Sequence, residues 1–284
     1  MDPRLLAALR SWDLDHGVLW ILPIALLLYA NGWRRLHAER PARYTIRQLG
    51  AFTAGIVVVL IAVASPVDAY GSVLLQVHMA QHMLLMMAAP PLLWLGQPLI
   101  PLLRGLPPRL AKRVLGPILT SSGLRSAGRT ITHPFVCWTT FSITLAVWHL
   151  PRFYEAGLRS EAWHTVQHAC FVLAAMLFWW PVVDVWPSRP VWARWMMIPY
   201  LIAADLLNTA LSAILTFSNH VIYPHYESVP RLAGFSALED QALAGVIMWV
   251  PGSIAFLLPA VILTVQLLEP RGRASAASLS TVRQ

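Results

Sequence analysis

The sequence predicts an all-α protein that crosses a membrane as a helical bundle. The chain has 284 residues, of which 57% are hydrophobic and 12% charged, about half the charged share of a soluble domain. Its apolar residues gather in blocks long enough to cross about 30 Å of hydrocarbon. These blocks predict seven transmembrane helices, at about 17–33, 47–64, 72–95, 134–150, 163–183, 194–217 and 241–268.

The seven helices are expected to form a single domain over residues 1–269. The proline-rich segment 96–117 predicts a broken or surface-lying helix rather than an eighth span. Residues 270–284 are rich in Ser and Ala with scattered Arg, a composition that predicts a disordered cytoplasmic tail.

The distribution of basic residues predicts the orientation of the chain. Most of the 21 Lys and Arg residues lie in the tail and in the loops that follow the first, third and fifth predicted helices. Loops rich in these residues stay in the cytoplasm, so we expect the N-terminus outside and the C-terminus inside. The net charge of +8 then follows from topology and requires no nucleic-acid partner.

Two copies of the pattern His-x-x-Gln-His, at 78–82 and 164–168, lie inside predicted helices. Histidines four residues apart share one helix face, about 6 Å apart along the axis, and polar groups at membrane depth need a partner. With the predicted orientation, both pairs lie in the outer half of the membrane, where the fourth helix ends. This clustering predicts a metal site with the ligands His78, His82, His149, His164 and His168.

Five further residues are expected to support this site. Gln81 and Gln167 are placed to orient imidazoles by hydrogen bonds. Met86 extends the His78–His82 face, and thioether with imidazole suits copper. Asp205, in the middle of the sixth helix, needs a buried partner, whereas Asp240 is expected either to cap the seventh helix or to orient a ligand.

Other functions fit the same residues. A zinc hydrolase would use Asp205 or Asp240 as its base, although neither motif has the Glu of zinc proteases beside its first His. A single haem would use His82 and His168 as axial ligands, while the four-residue spacing excludes two stacked haems. A scaffold without metal would use the histidines only for hydrogen bonds between helices.

Four runs of residues form a composite pattern: 78–85 leading into Pro90-Pro91-Leu92, Trp148-His149-Leu150-Pro151, 215–218 and 240–252. Together they resemble the CtaG-type cytochrome c oxidase assembly factors of bacteria, over roughly residues 15–268. The resemblance implies a multi-pass protein of the bacterial plasma membrane that handles copper for a haem-copper oxidase. The matching motifs contain His78, His82, His149, His164, His168 and Asp240.

From the resemblance we expect an assembly factor that is not an enzyme. It would hold copper near the outer membrane face and deliver it to an oxidase subunit. Its other expected partners are a copper donor, which the sequence does not identify, and the lipid bilayer.

Overall fold

A computed structural model gives the fold of residues 11–12, 17–111, 113, 116–187, 190–231 and 234–269. This described part consists of helices joined by turns and loops, without a strand, so the predicted all-α class is confirmed. The predicted disordered tail, 270–284, lies outside it.

The first half of the described chain contains two long helices followed by a run of shorter ones. Their bounds are α1 Val18–Glu39, α2 Ile46–Ala64, α3 Pro66–Gly71, α4 Leu75–Met83, a π-helical turn Leu84–Ala88, α5 Ala89–Leu95, α6 Leu99–Gly105, α7 Pro108–Leu110, α8 Gly116–Thr120 and α9 Ser122–Ile131.

The second half contains most of the long apolar helices. Their bounds are α10 Pro134–Trp148, α11 Pro151–Arg159, α12 Glu161–Val183, a 3₁₀ turn Arg194–Met196, α13 Met197–Phe217, α14 His225–Ser228 and α15 Ala237–Leu268.

Within the described residues, four helical segments are long and apolar enough to cross a membrane: α2, α12, α13 with its preceding 3₁₀ turn, and α15. The stretch Leu75–Leu95 joined to α6 would be a fifth, although the two parts are bent by 68°. The helix α10 is apolar but has only 15 residues. The chain is therefore a helical membrane protein, while the count of seven spans and the orientation of the ends remain predictions.

The segment after α5 is broken, as its prolines predict. It forms only the short helices α6, α7 and the start of α8. Two glycines let α6 approach α1 at backbone distance, because a Cβ at Gly32 would collide with the Pro101 carbonyl and one at Gly105 with the Leu28 carbonyl.

Two indole hydrogen bonds hold α12 against the helix that contains Pro90. Proline has no N–H, so the carbonyl of Met86 cannot receive the usual helical hydrogen bond from residue 90. The Trp179 Nε1–H donates to that carbonyl instead, at 2.9 Å. In return, the Trp94 Nε1–H donates to the Met176 carbonyl at 2.7 Å. These bonds fix the two helices side by side and in register.

Candidate metal centre

The two His-x-x-Gln-His motifs meet where α4 lies beside α12. Within each motif the imidazole ring centroids are 4.3 Å and 4.1 Å apart. Between the helices, the ring centroids of His78 and His164 are 5.4 Å apart, and those of His82 and His168 are 5.5 Å apart. His78 and His168 are 6.3 Å apart. Four of the five predicted ligands therefore form one cluster, and α4 and α12 run in the same direction.

The two histidines of α4 are the most deeply buried members of the cluster. His78 is 1% exposed and His82 is 4% exposed. Neither Nε2 of His78 nor either ring nitrogen of His82 has a hydrogen-bond partner in the described part of the chain. The Gly71 backbone holds the His78 ring through a hydrogen bond. Buried nitrogens without partners are costly, and a bound ion would satisfy their lone pairs.

Three of the histidines satisfy the geometry of a shared ligand set. One ring nitrogen each from His78, His82 and His168 lies within 4.8 Å of the other two. Ligands of a single copper or zinc ion are roughly 3.5 Å apart, given bonds of about 2.1 Å. Small side-chain movements would therefore close the three imidazoles around an ion.

Asp68, which no sequence motif marks, also joins the cluster. Its carboxylate forms a second group with His164 and His168, whose ligand atoms again lie within 4.8 Å of one another. The Gln81 Nε2 amide donates to Asp68 Oδ1 at 2.6 Å and to the Ala62 carbonyl at 2.8 Å. Gln81 of the first motif thus positions a carboxylate beside the imidazoles.

The short helix α3 puts Asp68 in this position. The Ser65 hydroxyl caps α3 by accepting from the Val67 N–H at 3.2 Å, and Pro66 is its first residue. This Ser-Pro signal, which ends twelve residues before His78, is the sequence feature that could have indicated an ordered carboxylate there.

His149, the fifth predicted ligand, lies at the end of α10 beside the cluster. Its Nδ1–H donates to the Leu145 carbonyl at 2.7 Å, which leaves the lone pair on Nε2. That Nε2 is buried and has no hydrogen-bond partner in the described residues. The ring is 6.4 Å from Phe171, which packs 4.6 Å from His82. His149 belongs to neither three-residue group, and its role as a ligand remains a prediction.

The second predicted orienting amide, Gln167, is buried against α11. A Cβ at Gly157 would lie 2.9 Å from its Oε1, so the absence of a side chain at Gly157 makes room for the amide. Its Nε2 has no hydrogen-bond partner among the described residues. A link from Gln167 to an imidazole remains a prediction.

Asp240 acts on the cluster through the backbone of α4. Ser236 and Glu239 form the capping box of α15, so Asp240 is not needed for that role. Its buried carboxylate accepts the N–H groups of Leu75 at 2.8 Å and Gln76 at 3.1 Å. These are orphan donors at the start of α4. Asp240 therefore caps the helix that carries His78 and His82.

The other two predicted supporting residues lie elsewhere. The Ser253 hydroxyl donates to Asp205 Oδ1 at 2.8 Å, which joins α13 to α15 and gives the intramembrane carboxylate its partner. Met86 is buried in the π-helical turn. The prediction for Met86 assumed α-helical register, which this turn interrupts, and its role as a ligand remains untested.

Aromatic residues cover the cluster at the ends of α4 and α12. Tyr154 on α11 lies 5.3 Å from His78 and stacks on Tyr223 at 3.9 Å. The hydroxyl of Tyr223 donates to the His149 carbonyl, and that of Tyr226 to the Gly71 carbonyl. Burial raises the pKa of Tyr154 well above its ordinary value, so this covering layer stays neutral at physiological pH.

Two histidines between α13 and α15 lie outside the imidazole cluster. His220 is exposed and hydrogen-bonds with Asn219 Oδ1 at 3.2 Å. His225 Nε2 hydrogen-bonds with the Ser72 carbonyl at 3.1 Å. His16 lies outside the described residues.

A buried cluster of imidazoles between apolar helices defines the class: a helical membrane protein with an internal histidine cluster. The chain belongs to the cytochrome c oxidase caa3 assembly factor family (Caa3_CtaG), whose family profile matches residues 27–269. The resemblance recognised from the sequence motifs is therefore confirmed.

Curated relatives of the chain come from mycobacteria. An uncharacterised protein of Mycobacterium bovis is 27% identical over 256 residues, which is 87% of this chain and 38% of the relative. An uncharacterised protein of Mycobacterium leprae is 28% identical over 282 residues, 95% of this chain and 41% of the relative. The chain thus spans about two fifths of the length of the curated relatives it matches. No solved structure matches it.

Proposed function

We propose that this protein holds copper in transit within the bacterial plasma membrane and passes it to a subunit of a haem-copper oxidase. The observation that carries the proposal is the group His78, His82 and His168, with three ring nitrogens within 4.8 Å of one another. Membership of the caa3 assembly factor family indicates the process in which the protein takes part, which is the assembly of cytochrome c oxidase.

The donor set fits copper as cargo. Neutral imidazole binds copper and zinc well, whereas calcium and magnesium prefer oxygen ligands. A group of three imidazoles leaves a coordination position open, through which a donor or acceptor protein can exchange the ion. A closed site with four protein ligands would retain its metal instead.

The alternative functions receive less support from the contacts. A zinc hydrolase needs a carboxylate that can take a proton from metal-bound water. Of its two predicted bases, Asp240 accepts two backbone N–H groups and Asp205 lies outside the histidine cluster beside Ser253. Asp68 is the carboxylate within the cluster that this alternative would have to use. An axial haem site needs a macrocycle between its two histidines. The rings of His82 and His168 are instead in edge contact, with centroids 5.5 Å apart.

Elemental analysis of the purified protein tests the copper site. We expect copper in the wild type and at least a tenfold loss in the His78→Ala plus His168→Ala variant. The matched control is His220→Ala plus His225→Ala, which removes two histidines outside the cluster and should retain copper. Equal copper in the wild type and the cluster variant would refute the proposal. Zinc, or iron with a haem absorption band, would favour the corresponding alternative.

A cellular assay tests delivery separately from binding. In a bacterial host lacking its own factor of this family, the wild-type gene should restore copper content and activity of the oxidase. The cluster variant should fail while accumulating in the membrane to the same level. Full restoration by the cluster variant would leave a scaffold role and exclude copper delivery through these histidines.

A further inference from the structure

His168 belongs to both three-residue groups of the cluster. One group contains His78 and His82, and the other contains Asp68 and His164. We propose that Asp68, His164 and His168 form a second copper position, and that the ion passes between the two positions by exchange of ligands around His168. This inference rests on the proposed function, since it assigns a path to the same cargo.

A hydrogen bond from Gln81 fixes the position of the Asp68 carboxylate beside the imidazoles. The Gln81 Nε2–H donates to its Oδ1 at 2.6 Å, and Gln81 is itself anchored on the Ala62 carbonyl. A carboxylate has lone pairs on both oxygens, so accepting the hydrogen bond from Gln81 does not by itself prevent it from binding an ion. Because Gln81 lies between His78 and His82 in the chain, the same turn of α4 positions parts of both groups.

The shared imidazole makes the two positions mutually exclusive. A neutral imidazole has one nitrogen lone pair, because the other nitrogen carries a proton. His168 can therefore complete only one position at a time, and the ion keeps it as a ligand while the other ligands are exchanged. A single copper ion per protein follows, although five side chains take part.

The two positions differ in chemistry and in access. The first has only imidazoles, and His78 and His82 are fully buried. The second includes a carboxylate, a harder ligand that favours Cu(II) over Cu(I). Asp68, His164 and His168 are all partly exposed. The position with Asp68 is thus the one where copper enters or leaves, and the imidazole position is the one where it is stored.

Copper binding in a variant that lacks the first group tests the second position. His78→Ala plus His82→Ala leaves Asp68, His164 and His168 intact, and we expect it to bind Cu(II) from CuCl₂ more weakly than the wild type, at no more than one ion. Adding Asp68→Asn should weaken this remaining binding at least tenfold. Asparagine keeps an oxygen for the hydrogen bond from Gln81, so the change removes charge with little change of shape. Adding Asp205→Asn instead is the matched control and should change nothing.

The outcomes separate the two proposals. If the wild type binds copper and the double variant binds none, or binds it equally with and without Asp68→Asn, the second position is refuted while the first stands. If the wild type itself binds no copper, both fail.

A kinetic measurement on a single variant avoids dependence on the folding of the double variant. In the otherwise wild-type protein, Asp68→Asn should retain copper but slow its transfer to added EDTA at least fivefold. His225→Ala should leave that rate unchanged. An unchanged rate in Asp68→Asn would overturn the assigned path.

Discussion

Asp240 and Leu75 are 165 residues apart in the chain and are joined by a hydrogen bond of 2.8 Å from the Leu75 N–H to the Asp240 carboxylate. The second carboxylate oxygen receives the Gln76 N–H. A negative charge at the start of a helix also interacts favourably with the helix dipole. The first turn of α15 therefore determines where the histidine-bearing helix α4 begins.

Replacing Asp240 with Asn is expected to lower both stability and copper affinity. The amide keeps one acceptor oxygen but turns an NH₂ group toward a backbone N–H, so a buried donor loses its partner, at a cost of about 1–3 kcal/mol. Thermal unfolding in detergent and copper titration measure the two effects. Glu239→Gln changes the neighbouring carboxylate, which caps α15 itself, and should not affect copper affinity. Unaltered binding in Asp240→Asn would show that the cap does not position the site.

Replacing Trp179 with Phe is expected to destabilise the packing of α12 against the π-helical turn that follows the histidine-bearing helix α4. The Met86 carbonyl would lose its indole donor, and Pro90 cannot replace it. Hydrogen bonds between membrane helices contribute about 1 kcal/mol each, so unfolding in detergent should shift by that amount. Trp20→Phe, at a side chain that is 73% exposed, is the control. Equal stability of the two variants would contradict this explanation of the helix contact.

Replacing Gly245 with Ala is expected to separate α13 from α15. An added Cβ would lie 2.8 Å from the Thr216 backbone nitrogen and 2.9 Å from the Ser212 carbonyl oxygen. Backbone atoms cannot yield as a flexible side chain does, so a loss of about 1–3 kcal/mol follows. Gly50→Ala, which meets nothing within 4 Å, should be neutral or slightly stabilising. Thermal unfolding measures the stability of both variants. If Gly245→Ala is as stable as the wild type, the close packing of α13 against α15 is refuted.

The sequence was sufficient to predict the helices and the faces on which the histidines lie. Four-residue spacing places His78 with His82 and His164 with His168 by helix geometry alone, and apolar blocks predict the membrane helices. The sequence did not predict the contact between α4 and α12. That contact depends on groups far apart in the chain, such as the Trp179 indole and the Met86 carbonyl that follows α4.

Carboxylates were the least predictable part of the site. Asp205 and Asp240 stood out because they lie in or beside apolar helices, yet their partners are Ser253 and the start of α4. Asp68 lies in a short polar stretch, where an acidic residue is unremarkable by sequence. Its place beside His164 and His168 results from the packing of α3.

X-ray absorption spectroscopy at the copper edge of the copper-loaded protein tests the central claim most directly. We expect a first shell of nitrogen ligands with the outer-shell scattering typical of imidazole, and a loss of that signal in the His78→Ala plus His168→Ala variant. A shell dominated by sulfur, or an imidazole signal unchanged by the substitutions, would contradict the assignment of His78, His82 and His168 as the copper site.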